Sequence, residues 1–285
     1  MAGHTSQLAA VPTRRIGSLI APREHGAWGL LLVPLATGGA VGLLTGGSSL
    51  PLMAFTVAAL TLFWLRTPVE NWLGTGLLRA QTQNERRAVG ITIGLLGAAA
   101  VSALAALFWD GRHPALVLLG LVAACAFVGQ ALLRKLGRQT RMLAQIVGAL
   151  GLTITAPAAY YVVTGELTRE AWVLWIANFL FAGNQVHFVQ LRIHSARVVS
   201  GREKLQRGRI FLLGQMLLAL ILLLAWRSYL LPGLAELAFV PLLVRGAAWF
   251  FESQHTLVVR RLGWTELAHA VVFGALLVAG FHFGH

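Results

Sequence analysis

Apolar residues fall into nine long blocks, at about 26–45, 48–65, 88–109, 114–133, 142–163, 171–190, 210–226, 233–250 and 267–284. Every block runs 17 residues or more, enough for a helix rising 1.5 Å per residue to cross a hydrocarbon core of ~30 Å. The pattern predicts an all-α integral membrane protein with nine transmembrane helices: a tail over residues 1–21, then a single polytopic membrane domain over 22–285. A faint internal echo runs through that domain. The first block holds "LLVPLATGG" and the fifth "LTITAPAAYY", each with a proline in mid-helix, and the second and sixth both end in polar residues before a long basic loop. The expected organisation is therefore two four-helix halves, about 22–136 and 137–257, plus a ninth helix. Repeats of this kind place binding sites at their interface.

Composition sharpens this picture. The chain is 57% hydrophobic and 12% charged, about half the charged share of a soluble domain. Its single cysteine, Cys125, leaves no internal disulfide to form. The segment "TRRIGSLI" near the start lacks the apolar core of a secretory signal before "PREH", so no cleaved leader is expected.

A net charge of +13 looks at first like a signature of nucleic-acid binding. Its distribution says otherwise. Of the 23 Lys and Arg, Arg112, Arg169 and Arg227 lie in loops on one side, Arg245 lies inside a block, and the other 19 lie in the N-terminal tail and the loops 66–87, 134–141, 191–209 and 251–266. Basic loops mark the cytoplasmic face. The expected topology puts the N-terminus inside and the C-terminus outside, in the cell (inner) membrane. No nucleic-acid partner is expected, and the basic face suits anionic phospholipid.

Four constellations are candidates for chemistry. In "GNQVHFVQLRIHSAR", Asn184, His187, Leu191 and His194 share one helix face, with Gln190 beside them and Arg192 and Arg197 following. Such a stripe serves either interhelical hydrogen bonding or a polar cavity. In "APREHGAW", Pro22 and Glu24 suit a helix start and Trp28 an interfacial belt, which leaves His25 as a candidate ligand or base. In "FWLRTPVENWLG", Pro68 is expected to break the second helix as it leaves the membrane. Arg66, Glu70 and Asn71 surround it, and Arg79, Arg86 and Arg87 follow. In "ESQH" and "ELAH", Glu252/His255 and Glu266/His269 repeat Glu-x-x-His, the spacing used with two further glutamates in di-iron bundles, where Glu24 and Glu70 are the available others. Arg245 lies deep in the eighth block, where an unpaired charge is costly, so it is expected to face the bundle interior near Glu252 or the stripe of the sixth helix.

Nine helices with polar cytoplasmic ends on the second and sixth resemble the UbiA superfamily of membrane prenyltransferases. "PREHGAWGLLLVPLATG" and "NFLFAGNQVHFVQLRI" more specifically resemble the YwiC-like membrane family. The superfamily resemblance implies a helical bundle around a central cavity open to the cytoplasm. It also implies Asp-rich motifs after the second and sixth helices that hold Mg²⁺ against a prenyl diphosphate. This chain departs there. Its one aspartate is Asp110, in an outer loop; "RTPVENWLG" offers only Glu70, and "NQVHFVQLRIHS" offers no carboxylate.

Two Mg²⁺ ions need several hard oxygen ligands, so Mg²⁺ is not expected in the two-ion manner, and no other cofactor is expected. The expected ligand is an isoprenoid or other amphipathic lipid phosphate, with turnover left open. Glu24, His25, Arg66, Asn71, Arg79, Arg87, Asn184, Gln190, Arg192 and Arg245 are the candidate binding residues, since arginine meets phosphate bidentately. His187, His194 and Glu70 are the candidate catalytic ones. Two alternatives stay open: a non-catalytic lipid carrier, and a haem- or metal-binding membrane protein using His25, His194, His255 and His269.

Overall fold

The computed structural model describes residues 12–21, 25–74, 76, 78–109, 111, 114–137, 139–196, 200–252 and 258–284, the side chains of 12–14, 25 and 26 excepted. Among these residues every regular element is a helix. In chain order they are α1 (Pro12–Ile20), α2 (His25–Leu44), α3 (Ser49–Leu73), α4 (Gln83–Trp109), α5 (Pro114–Lys135), α6 (Arg141–Thr153), α7 (Thr155–Thr164), α8 (Arg169–His194), α9 (Gly201–Arg227), a 3₁₀ segment (Gly233–Phe239) running into α10 (Val240–Phe251), and α11 (Val259–Phe283).

Among the described residues, eight segments are long and apolar enough to cross a membrane, with α6–α7 and the 3₁₀ segment–α10 each counting as one. The sixth block, α8, is not among them. At 26 residues it has the length, about 39 Å at 1.5 Å per residue. Asn178, Asn184, Gln185, His187 and Gln190 dilute its apolar character.

The helices on the basic side reach further than the apolar blocks. Pro68 sits inside α3, which continues to Leu73, so the expected break there does not occur. The helix tolerates the missing N–H of Pro68 at the cost of one intrahelical bond. Helix α4 starts at Gln83 because "TQNE" closes a capping box: Glu85 N donates to Thr82 Oγ1 (3.2 Å), while Glu85 Oε2 accepts from Thr82 N (3.2 Å). Helix α9 starts at Gly201 behind Ser200, whose hydroxyl accepts from Glu203 N. The basic "loops" are thus largely helix ends projecting beyond the apolar spans.

The chain forms two compact units. One holds α1, α3 and α4. Side chains of α3 take up the terminal carbonyls of α1: Trp64 Nε1 donates to Ile20 O (3.0 Å) and Asn71 Nδ2 to Leu19 O (2.8 Å). These are acceptors that a helix end leaves without intrahelical partners. Arg15 then bridges to Gln81 Oε1 (2.7 Å) and Glu85 Oε1 (2.9 Å).

The other unit holds α2 and α5–α11. More than half of the spans α2 (56%) and α6–α7 (67%) is buried, against 17% for α5, so the first two are interior and the last is peripheral. Helices α2 and α7 run parallel in close contact. A Cβ on Gly38 would collide with the Ala156 carbonyl, and one on Gly42 would stand 3.0 Å from Val163 Cβ. Pro157 has no N–H for the Thr153 carbonyl, and the α6–α7 break falls there. Thr155 Oγ1 hydrogen-bonds Leu152 O (2.8 Å) and Leu31 O (3.3 Å), tying the break to α2. The two mid-helix prolines that echo each other in sequence therefore belong to helices that touch.

Candidate functional site

Helices α8–α11 are layered. Toward one end lies a large apolar cluster that includes Leu174, Phe181, Leu218, Leu222, Phe239, Leu242, Phe273 and Leu277, with Phe181 and Phe273 stacked at 4.2 Å. Toward the basic end lies a smaller one: Phe188, Leu191, Phe211, Trp249 and Leu262. Between the two, each helix contributes a polar residue: Asn184 from α8, Gln215 from α9, Arg245 from α10 and Glu266 from α11. Counted inward from Arg192, Arg209, the end of α10 and Arg261, these positions sit 5–8 residues deep, roughly 10 Å at 1.5 Å per residue. Four antiparallel helices thus bring their polar residues to one level.

Arg245 organises the layer. Its side chain is 10% exposed and forms an ion pair with Glu266, which is 7% exposed. A second guanidinium nitrogen points to Asn184 Oδ1 at 3.4 Å, and the guanidinium carbon lies 4.2 Å from the centre of the Phe188 ring, a cation–π geometry. Gln185 Nε2 donates to Glu266 O (2.9 Å), fixing α8 against α11. His187 is half-buried and meets the Phe211 ring edge-on at 5.2 Å. Gln215 is 8% exposed. Neither its amide nitrogen nor its oxygen has a partner among the described residues, and Arg245 Nε has none either.

The other sequence candidates are distributed differently. Arg66 and Glu70 form an i,i+4 ion pair on α3 (2.9 Å). Asn71 is buried and structural, its Oδ1 accepting from Leu78 N (3.4 Å) as its amide holds α1. Arg79, Arg86 and Arg87 are exposed. Gln190 Nε2 donates to Gln145 Oε1 on α6 (3.0 Å). Arg192 pairs with Glu252 (2.8 Å) at the exposed basic end. His194 is exposed and turns back on its own helix, with Nδ1 2.8 Å from Gln190 O.

The stripe of α8 therefore does not converge on one point: Asn184 faces α10, His187 faces α9 and Gln190 faces α6. Glu24, Arg197 and His255 lie outside the described residues, as does the side chain of His25. Of the two Glu-x-x-His pairs, Glu266 is taken by Arg245 and Glu252 by Arg192, while His269 Nδ1 contacts Thr265 O (2.7 Å). Among the described residues no three His, Cys, Asp or Glu come together as a metal-binding group.

Three participants are not evident from sequence patterns. Glu266 is the ion-pair partner of Arg245, which was expected near Glu252 or the α8 stripe; of these, Asn184 of the stripe lies beside it and Glu252 pairs elsewhere. Gln215 sits in an otherwise leucine-rich helix. Lys204 is buried, with its ammonium donating to Trp249 O (3.2 Å) and Glu252 O (2.5 Å). It closes the C-terminal end of α10, where a cation suits the carbonyl-rich helix end. Depth offers a signal for the first two: each lies five or six residues inside a helix end that carries arginines.

No curated protein matches the chain. Residues 21–160 match the family model described as YwiC-like protein, so that from just before α2 through the first half of α7, and short of the α8–α11 layer, the chain is similar to that family.

Proposed function

We propose that this YwiC-like, multi-pass helical protein binds an amphipathic lipid within α8–α11, with the lipid's polar head at the Asn184–Gln215–Arg245–Glu266 layer and its tail along the apolar surface. The observation that carries the reading is a nearly buried Arg245 held in a polar layer between two apolar clusters. Intramembrane ionisable groups are expensive and mark functional positions. An isoprenoid chain is the expected tail, following the resemblance of the layout to membrane prenyltransferases. Basic residues at the helix ends attract an anionic head or anionic phospholipid.

Binding is favoured over metal-assisted transfer. Glu70, Glu252 and Glu266 are each engaged by an arginine, and hard divalent ions need several free oxygen ligands.

The accompanying topology has nine crossings, α8 included, with the arginine-rich helix ends in the cytoplasm. Exposed Trp72 and Trp264 near the basic ends of α3 and α11, and exposed Trp109 and Trp226 at the opposite ends of α4 and α9, suit the two interfacial belts.

Native mass spectrometry of protein extracted with its own lipids tests the reading. A retained lipid in the parent chain that is lost in Asn184→Leu and His187→Leu is the expected result. A parent chain that retains none, or variants that retain it unchanged, would return the layer to helix packing alone.

A further inference from the structure

Arg86 and Arg87 open the outward side of α4 with their charge unmet. Both are exposed, and neither side chain has a hydrogen bond or ion pair among the described residues. The two described carboxylates of their unit are already held, Glu85 by Arg15 and Glu70 by Arg66. Two guanidinium groups on successive residues repel each other, so an anion between them relieves a like-charge contact as well as gaining charge-assisted hydrogen bonds.

The surface that continues from this pair is apolar and open. Two rows run down α4 at i, i+4, i+8: Arg86, Gly90, Gly94 and, beside it, Arg87, Ile91, Leu95. Ile91 is 55% exposed and Leu95 68%. Gly94 has nothing within 4 Å of an added Cβ. At Gly90 the same carbon would stand 3.1 Å from Trp72 Cζ3 and 3.3 Å from Trp72 Cη2. The indole of Trp72, at the end of α3, therefore lies on α4 one turn inward from the arginines, and it is itself half exposed.

Depth matches a bilayer boundary. Helix α4 has 27 residues, about 40 Å against a hydrocarbon core of ~30 Å, which leaves about 5 Å beyond the core at each end. Arg86 and Arg87 are the fourth and fifth residues of the helix, so they stand at the level of lipid phosphates. Trp72 stands one turn deeper, where tryptophan favours the boundary between heads and tails. Charge, aromatic ring and apolar surface thus follow one another in the order in which a phospholipid presents phosphate, glycerol ester and acyl chain.

We propose that α3 and α4 carry a binding site for an anionic glycerophospholipid: Arg86 and Arg87 hold its phosphate, Trp72 flanks its glycerol region, and an acyl chain lies along Ile91 and Leu95. The site is separate from the α8–α11 layer and does not rest on it.

The test uses the full chain in nanodiscs of equal parts phosphatidylglycerol and phosphatidylcholine, followed by native mass spectrometry of the lipids it keeps. The parent chain is expected to retain phosphatidylglycerol over phosphatidylcholine by at least tenfold. An arginine at an anionic surface contributes about fivefold in affinity, so the double variant Arg86→Gln, Arg87→Gln is expected to abolish the preference. Where that variant does not fold, Arg87→Gln alone is expected to lower the preference about fivefold. The double variant Arg202→Gln, Arg209→Gln removes the same charge from exposed positions on α9 and is expected to leave the preference within twofold. An equal loss in the α9 variant would show that total basic charge selects the lipid and would overturn the site. So would a parent chain without preference, or α4 variants that keep it.

Discussion

Arg245 on α10 and Glu266 on α11 form an ion pair that is almost wholly withdrawn from solvent. The pair joins two helices that are separate in sequence, and it carries the guanidinium over Phe188 and toward Asn184 on a third. Removing one partner of such a pair leaves a bare buried charge and costs about 3–5 kcal/mol, whereas replacing both by apolar residues of similar volume is often neutral. Arg245→Met and Glu266→Leu are therefore each expected to lower thermal stability in detergent strongly, and the double variant to recover most of the loss. A double variant as unstable as the worse single one would mean the charges serve something other than each other.

Asn71 fastens α1 to α3 and also accepts from Leu78 N. Asn71→Leu removes both bonds and leaves the Leu19 carbonyl without its partner, at a cost of about 1–3 kcal/mol. The expected outcome is faster proteolytic cleavage around residues 12–25, with the apolar spans still protected. A digestion pattern identical to the parent's would show that Trp64 and Arg15 hold α1 without help.

A Cβ on Gly38 would meet the backbone of Ala156, which cannot swing aside as a side chain can. Gly38→Ala is expected to separate α2 from α7 and lower the melting temperature by more than ordinary overpacking, which costs about 1–3 kcal/mol. Gly94 on α4 has nothing within 4 Å of the same added carbon, so Gly94→Ala is the matched control and is expected to be neutral or slightly stabilising, because alanine is the better helix former. Equal effects of the two substitutions would argue against the α2–α7 crossing.

Paired fusions at His285, one reporter active only in the cytoplasm and one only outside it, check the topology. Nine crossings with the basic helix ends inside place His285 outside. A cytoplasmic signal would leave an even number of crossings and remove α8 as a span.

Sequence alone determined that the chain is helical and apolar enough to lie in a membrane, since 17-residue apolar blocks have few other ways to satisfy their backbone polar groups. It also located the helices and concentrated the basic residues at one set of helix ends. It singled out Arg245 as well, because a charge so deep in an apolar block needs a partner.

The partner itself was decided by tertiary structure. Spacing reports neighbours on one helix face, so it tied Glu266 to His269 and Asn184 to His187 and His194. In the folded chain Glu266 and Asn184 turn instead to α10, and His187 turns to α9. Contacts between helices depend on how each is rotated and how far it is shifted along its neighbour. Those are set by close approaches such as Gly246 against Gln215, and no local period records them. Gln215 shows the same limit: one glutamine in a run of leucines has no pattern to announce it, and only the packing of α9 on α10 placed it in the polar layer.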